Sequence, residues 1–204
     1  MKITTPLFDA GLKCITKCFL RSLGETGTGN AYADWVQTQA ESYRNAGMKG
    51  LMAGTADDEW IIGSPGTENW KMAKWRLAVD LVVRAQNLES RLHAVERVPS
   101  EGRSHPVQFT PIRFVFTNKL NRDDKLLLAF DALVLSEMLG RKVDRGKIMH
   151  GDNHAMQTVT TSTLAREVRK RIEKIATLLS NPSPPDLVLN RGLGNRTCRA
   201  DAVV

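Results

Sequence analysis

LAVDLVVRAQNLESRLHAVERV, residues 77–98, shifts the apolar period of the chain from that of a helix to that of a strand. LAVDLVVRA and ESRLHAVERV alternate apolar with polar positions or run β-branched, which is period-two patterning. Gln86 and Asn87 lie between them as the reversal, so the segment predicts a β-hairpin.

Downstream, VQFTPIRFVFTN (107–118) predicts a third strand with Phe114 and Phe116 on one face. Pro111 has no N–H for a ladder, which argues for an edge strand or a bulge there. Asp123 and Asp124 open a strong helix, DKLLLAFDALVLSEML, and Gly140 closes it. GKIMHG and AMQTVTT predict a second hairpin about Gly151, Asp152 and Asn153. TLAREVRKRIEKIATLL then predicts a helix with Leu164, Val168, Ile172, Ile175 and Leu179 on one stripe. Upstream, EWIIGS (59–64) reads as a short strand before a turn at Pro65 and Gly66, and 31–46 as a helix stopped by Gly47. Residues 7–23 read as one amphipathic helix on Phe8, Leu12, Ile15, Phe19 and Leu23, ended by Gly24. The pattern is α+β without internal repeats, a single domain over 1–204 with an irregular tail at 181–204.

The chain has 204 residues, 42% hydrophobic and 25% charged, which is ordinary globular composition and argues against wholesale disorder. No window approaches the roughly 18 apolar residues of a membrane span, and MKITTPLFDAGLKC has no apolar leader, so a soluble cytoplasmic protein with no membrane partner is expected. Three cysteines are too few for a disulfide framework and read as reduced thiols or metal ligands. Of the net charge of +7, residues 161–199 carry most, with eight Lys/Arg against three acids. Such a concentration suits a polyanion, while a solvated helix face is the bland alternative.

Three local motifs are open to a chemical reading. Gly24, Gly27 and Gly29 in GETGTG lack the preceding strand and following GK[ST] of a phosphate cradle, so a helix-to-helix turn is the simpler account. His150, Asp152 and His154 in HGDNH could ligate a divalent ion, but Gly-Asp-Asn is turn chemistry and the hairpin tip is favoured. Cys14 and Cys18 lie one helical turn apart, as thiols facing a shared ligand or as part of an apolar face.

Taken in order, LKCITKCFLRS, LHAVERVPS, FTPIRFVFTNKL, DDKLLLAFDALVL and GKIMHGDNH followed by PPDLVLNR resemble the RecB-like nuclease domain of the PD-(D/E)XK superfamily. The branch they resemble is that of large bacterial RecB-family nucleases whose N-terminal domain is related to the CRISPR-associated RecB-like exonucleases. The resemblance spans nearly the whole chain, and the order of the motifs rather than any single one carries it. It implies a restriction-endonuclease-like core, a mixed sheet flanked by helices.

In such nucleases an aspartate on one strand and a Glu-x-Lys on the next hold Mg²⁺ or Mn²⁺ and activate water against the phosphodiester. The matching phrases here are SRLH and PIRFV, which put His93 in place of the aspartate, Arg113 in place of the glutamate and Val115 in place of the lysine. An arginine in an acidic site repels the cation. Asp80, Glu96 and Lys119 are the residues that could serve a migrated site. The relatives also hold an iron–sulfur cluster, to which Cys14 matches the first thiolate and Cys198 the last. GLGNRT between them and the tail motif lacks the middle cysteines, so a stable cluster is not expected. Relatives continue into further nuclease or helicase regions, and a truncated copy is one reading of this chain. The expectation is a DNA-binding domain derived from a nuclease and impaired in catalysis. Its phosphate contacts would be Lys119, Arg122, Arg166, Arg169, Lys170 and Lys174. The alternatives are an active metal-dependent DNA nuclease with rearranged ligands and a pure interaction module.

Overall fold

The computed structural model describes residues 2–25, 31–66, 70, 74–98, 107–181 and 183–185. β1 (Ile3–Thr4), α1 (Thr5–Lys13), α2 (Ile15–Ser22), α3 (Ala31–Ala53) and β2 (Trp60–Ile62) precede the hairpin. β3 (Leu77–Ala85) and β4 (Leu88–Val98) then run antiparallel as their patterning predicts. They reverse at Gln86, whose φ of 49° supplies the left-handed turn that matches strand twist.

β5 (Gln108–Val115) continues the antiparallel meander beside β4. α4 (Arg122–Leu139) then crosses the sheet and returns the chain as β6 (Arg145–His150), parallel to β5, because parallel neighbours cannot be joined by a tight turn. β7 (Ala155–Thr160) closes a second hairpin with β6, and α5 (Ala165–Ser180) follows. The strand order is β2-β3-β4-β5-β6-β7, with β1 paired in parallel to the start of β4. This is an α+β fold with a mixed central sheet flanked by helices, consistent with a restriction-endonuclease-like core.

α4 is the central helix. Asn121 and Asp124 form a reciprocal capping box at its start, and Gly140 ends it at φ 65°. Every residue from Leu126 to Leu135 is buried, so the helix is enclosed on all sides. One side meets the sheet, and the other meets α1 and α5, with the Phe8 and Phe130 rings stacked 4.5 Å apart and Val168 and Ile175 in the same core. On the opposite face of the sheet, Tyr43, Met48, Leu51 and Met52 of α3 cover Val79, Ala94, Ile112 and Phe114.

Three local expectations are corrected. Residues 7–23 form two helices, not one, because Cys14 is extended (φ −159°, ψ 126°) and serves as C-cap to α1 and N-cap to α2. After the break Thr16, Cys18 and Phe19 are buried while Leu23 is 63% exposed, so the stripe read from spacing does not persist. Pro111 sits in a central strand, not an edge. Its only ladder partner is Val95, since pairing with β6 starts one residue later at Ile112↔Lys147. Gly47 lies inside α3, which runs on to Ala53. A Cβ at Gly47 would stand 2.6 Å from the Phe114 ring, so glycine here serves close packing of helix on sheet.

Two glycines of α3 should respond with opposite signs. Gly47→Val is expected to lose about 1–3 kcal/mol by overpacking against Phe114. Gly50→Ala, where a Cβ meets nothing within 4 Å, should gain about 0.5–1 kcal/mol from helix propensity. Urea unfolding of both variants checks the pair.

Candidate functional site

The positions matched to nuclease ligands lie where β4 and β5 stop pairing regularly. The β3–β4 ladder skips Asp80 and His93 between Val79↔Ala94 and Leu81↔Leu92, and Asp80 takes a φ of 52°. Each strand skips one residue there, so the register is kept across the gap and the irregularity is a matched kink that turns Leu77 and Val79 to the α3 side and Leu81 and Val83 to the α4 core. His93 falls on the α3 side, its ring stacked on Phe114 at 5.7 Å, with Nδ1 accepting the Phe114 N–H at 3.0 Å. An accepting Nδ1 puts the single ring proton on Nε2. Burial pushes the His93 pKa well below its ordinary value, and the charges of Arg113, Arg44 and Arg91 push it further.

Arg113 turns to the other face. Its guanidinium grips Asp131 of α4 with two parallel bonds, Nε to Oδ2 at 2.9 Å and an Nη to Oδ1 at 3.0 Å. Arg113 is 8% and Asp131 2% exposed, so the pair is sealed between sheet and helix. Ser90 of β4 donates to the same carboxylate at 2.5 Å, and the Ser90 hydroxyl meets that of Thr5 at the start of α1. Val115 shares the Arg113 face and packs against the Leu128, Ile148 and Val159 cluster.

His93 and Arg113 therefore point away from each other across the sheet, and Val115 is spent on packing. Of the substitutes, Asp80 is clasped by Arg91 through bonds of 3.0 and 3.2 Å, which holds its carboxyl below the usual range. Glu96 is paired with Lys147. Glu96 stands opposite Leu77, three residues from Asp80, so about 10 Å of strand separates the two acids. Lys119 is exposed between β5 and α4, and its carbonyl accepts from the Thr117 hydroxyl. Among the described residues no three His, Cys, Asp or Glu side chains form a group that could hold a metal ion. A catalytic Mg²⁺ or Mn²⁺ does not fit this arrangement, because the available acids are separated and each is already neutralised by a base.

The two smaller motifs are also placed. HGDNH is the β6–β7 turn, with Gly151 at φ 70° and His154 at φ 50°. Asn118 bonds both the side chain and the N–H of Asp152, while Tyr43 stacks on His154 at 4.8 Å and donates to the Gly151 carbonyl. Cys18 is fully buried, donates to the Leu7 carbonyl, and has its pKa pushed up to about 11 by burial, so it is no thiolate. Cys14 is disulfide-bonded, which corrects the expectation of a reduced thiol or metal ligand there, and Cys198, the other cysteine matched to the cluster site, lies outside the described residues.

The cations divide into free and engaged. Arg166, Lys170 and Lys174 recur one helical turn apart on the exposed side of α5, opposite Val168 and Ile175, and take part in no ion pair among the described residues. Arg169 reaches Glu137 at 3.4 Å, and Arg122 pairs with Glu167. Sequence reasoning missed Asp131, although a lone acid in the apolar run LLLAFDALVL was the signal for a buried partner. It also missed Arg141, Lys142 and Arg145, three cations within the five residues 141–145 that lead from α4 into β6.

The buried pair is expected to behave as an all-or-none unit. Asp131→Ala should cost about 3–5 kcal/mol by leaving Arg113 charged and alone, whereas Arg113→Met combined with Asp131→Leu should recover most of that loss in urea unfolding. For His93 the depressed pKa means that the unfolded chain takes up a proton, from about pH 6.5 downward, that the folded chain refuses. Stability should thus be full above pH 6.5 and fall by up to about 1.4 kcal/mol per pH unit as pH drops toward 5. His93→Asn should flatten that slope in urea melts at stepped pH.

Among the described residues no helix is long and apolar enough to cross a membrane. No protein-family model matches the chain, and no curated protein matches it. A solved structure, described as the crystal structure of SSO0001, is 10% identical and covers 90% of this chain and 78% of that one at a TM-score of 0.40. A likeness this weak carries no argument about family or function.

Proposed function

We propose that this chain is a DNA-binding domain, derived from a RecB-like nuclease, in which the hydrolytic site has been converted into structure. The observation that carries the reading is the Arg113–Asp131 pair. A guanidinium at the position matched to a metal-binding glutamate is locked by a carboxylate from α4, buried, and aimed away from His93. A cation held there opposes a divalent ion instead of attracting it. Polymer affinity rests on other residues, the free stripe Arg166, Lys170 and Lys174 first, with Lys119 beyond β5. Arg122 and Arg169 would first have to leave Glu167 and Glu137.

The runner-up is an active nuclease built on Asp80, Glu96 and Lys119. It would require Arg91 and Lys147 to release both acids and the acids to approach one another.

Fluorescence anisotropy with labelled single- and double-stranded DNA, titrated with salt, tests the proposal. Binding is expected to weaken steeply with salt, and Arg166, Lys170 and Lys174 all changed to Glu should reduce the slope by roughly 2–3 through lost counterion release. Incubation with Mg²⁺ or Mn²⁺ should leave the DNA uncut. Metal-dependent cutting that Glu96→Gln abolishes would establish the active nuclease instead, and absence of any affinity would favour an interaction module.

A further inference from the structure

We infer a second phosphate-binding surface, a groove at the end of the sheet where β5 and β6 begin, that takes the phosphodiester backbone of a nucleic acid. The inference rests on the DNA-binding reading and extends its contact surface beyond α5.

The groove comprises two cavities that share a wall. The larger, 770 Å³, opens between the first residues of β5 and the segment that leads from α4 into β6, and it is lined by Arg141, Lys142 and Arg145 together with Thr110, Thr160 and Ser162. The smaller, 280 Å³, shares Lys142, Val143, Asp144 and Ser162 with it and extends to Arg169 of α5. Four cations therefore line the two adjoining cavities, which together reach from the strand ends to the basic helix. Asp144 is the one carboxylate in their lining, and its carbonyl is occupied by the N–H groups of Thr161 and Ser162.

Three of these charges are available, while Arg169 is paired with Glu137. Lys142 and Arg145 are exposed and enter no ion pair among the described residues. Arg141 lies over the Phe109 ring at 4.7 Å, which orients its guanidinium without consuming the edge N–H donors. Arg and Lys mixed with Ser and Thr hydroxyls is the donor set that nucleic-acid phosphates meet in protein interfaces. Because the cations are shared out over two adjoining cavities, Arg141 and Arg145 in the larger, Arg169 in the smaller and Lys142 in both, the form suits a chain of phosphates better than a single one.

The test uses the full chain and the same labelled DNA. Lys142→Glu with Arg145→Glu should weaken binding at low salt by about tenfold or more and lower the salt slope by roughly 2. Lys142→Gln with Arg145→Gln should fall between it and the parent. Lys49→Glu with Lys74→Glu makes the same charge change at exposed sites elsewhere and should cost far less. Equal loss in the groove and control variants would reduce the effect to net charge and overturn the groove. Unchanged binding in the groove variants, with loss in the α5 variant, would overturn the groove and leave the DNA-binding reading intact. Saturable binding of inorganic pyrophosphate, lost in the groove variants whose DNA binding is intact, would identify a small-phosphate site and likewise overturn it. No affinity in the parent chain would overturn both.

Discussion

The bond between Arg113 and Asp131 is the constraint from which most of the architecture follows. Two ions shut between a sheet and a helix are tolerable only when each satisfies the other and spare lone pairs find donors, and here Ser90 supplies one. Through that network α4 is tied to β5 by Arg113, to β4 by Ser90, and onward to the start of α1 by Thr5. A helix apolar on every side could slide or rotate against a sheet of aliphatic residues. One bidentate ion pair removes that freedom, because displacement by a single residue would strand a charge. Register of the central helix is thereby set by polar chemistry inside an otherwise apolar core.

The same bond separates inheritance from use in the nuclease reading. A cleavage site needs several acids aimed at one point in contact with water. Here the matched positions are divided between the two faces of the sheet. His93 is kept neutral on the α3 side, and Arg113 is consumed on the α4 side. What remains accessible is basic. It lies on α5 and where β6 begins, at residues other than the positions matched to nuclease ligands.

Much of the fold was legible because period is a local property. Both hairpins, the capped helix from Arg122 and the apolar stripe of α5 stand where alternation, caps and spacing put them. The misreadings share a cause: each concerned a residue whose role depends on something distant in sequence. Gly47 looks like a stop until Phe114 is set against it, and Pro111 looks like an edge until the first β6 pair is located. The helix break at Cys14 left the apolar spacing intact and so was invisible to it. At the site, the opposed directions of the positions matched by motif order follow a kink at Asp80 and His93 that no spacing rule reports. The Arg141–Arg145 segment escaped notice because its meaning is the cavity it borders, and cavities have no sequence period.

The short strand β1 has a consequence for the order of assembly. Ile3 donates its N–H to the carbonyl of Asn87 and lies beside Leu88, so β1 is held by the tip of a hairpin more than eighty positions later. During synthesis that strand has no place to dock until the hairpin has left the ribosome. α1, which follows it directly, must likewise wait for Phe130. Closing such long loops is slow, and the meander of β3 to β5 can form from neighbours alone. β1 and α1 are thus among the last of these elements to settle, fastening a core that later residues have already begun.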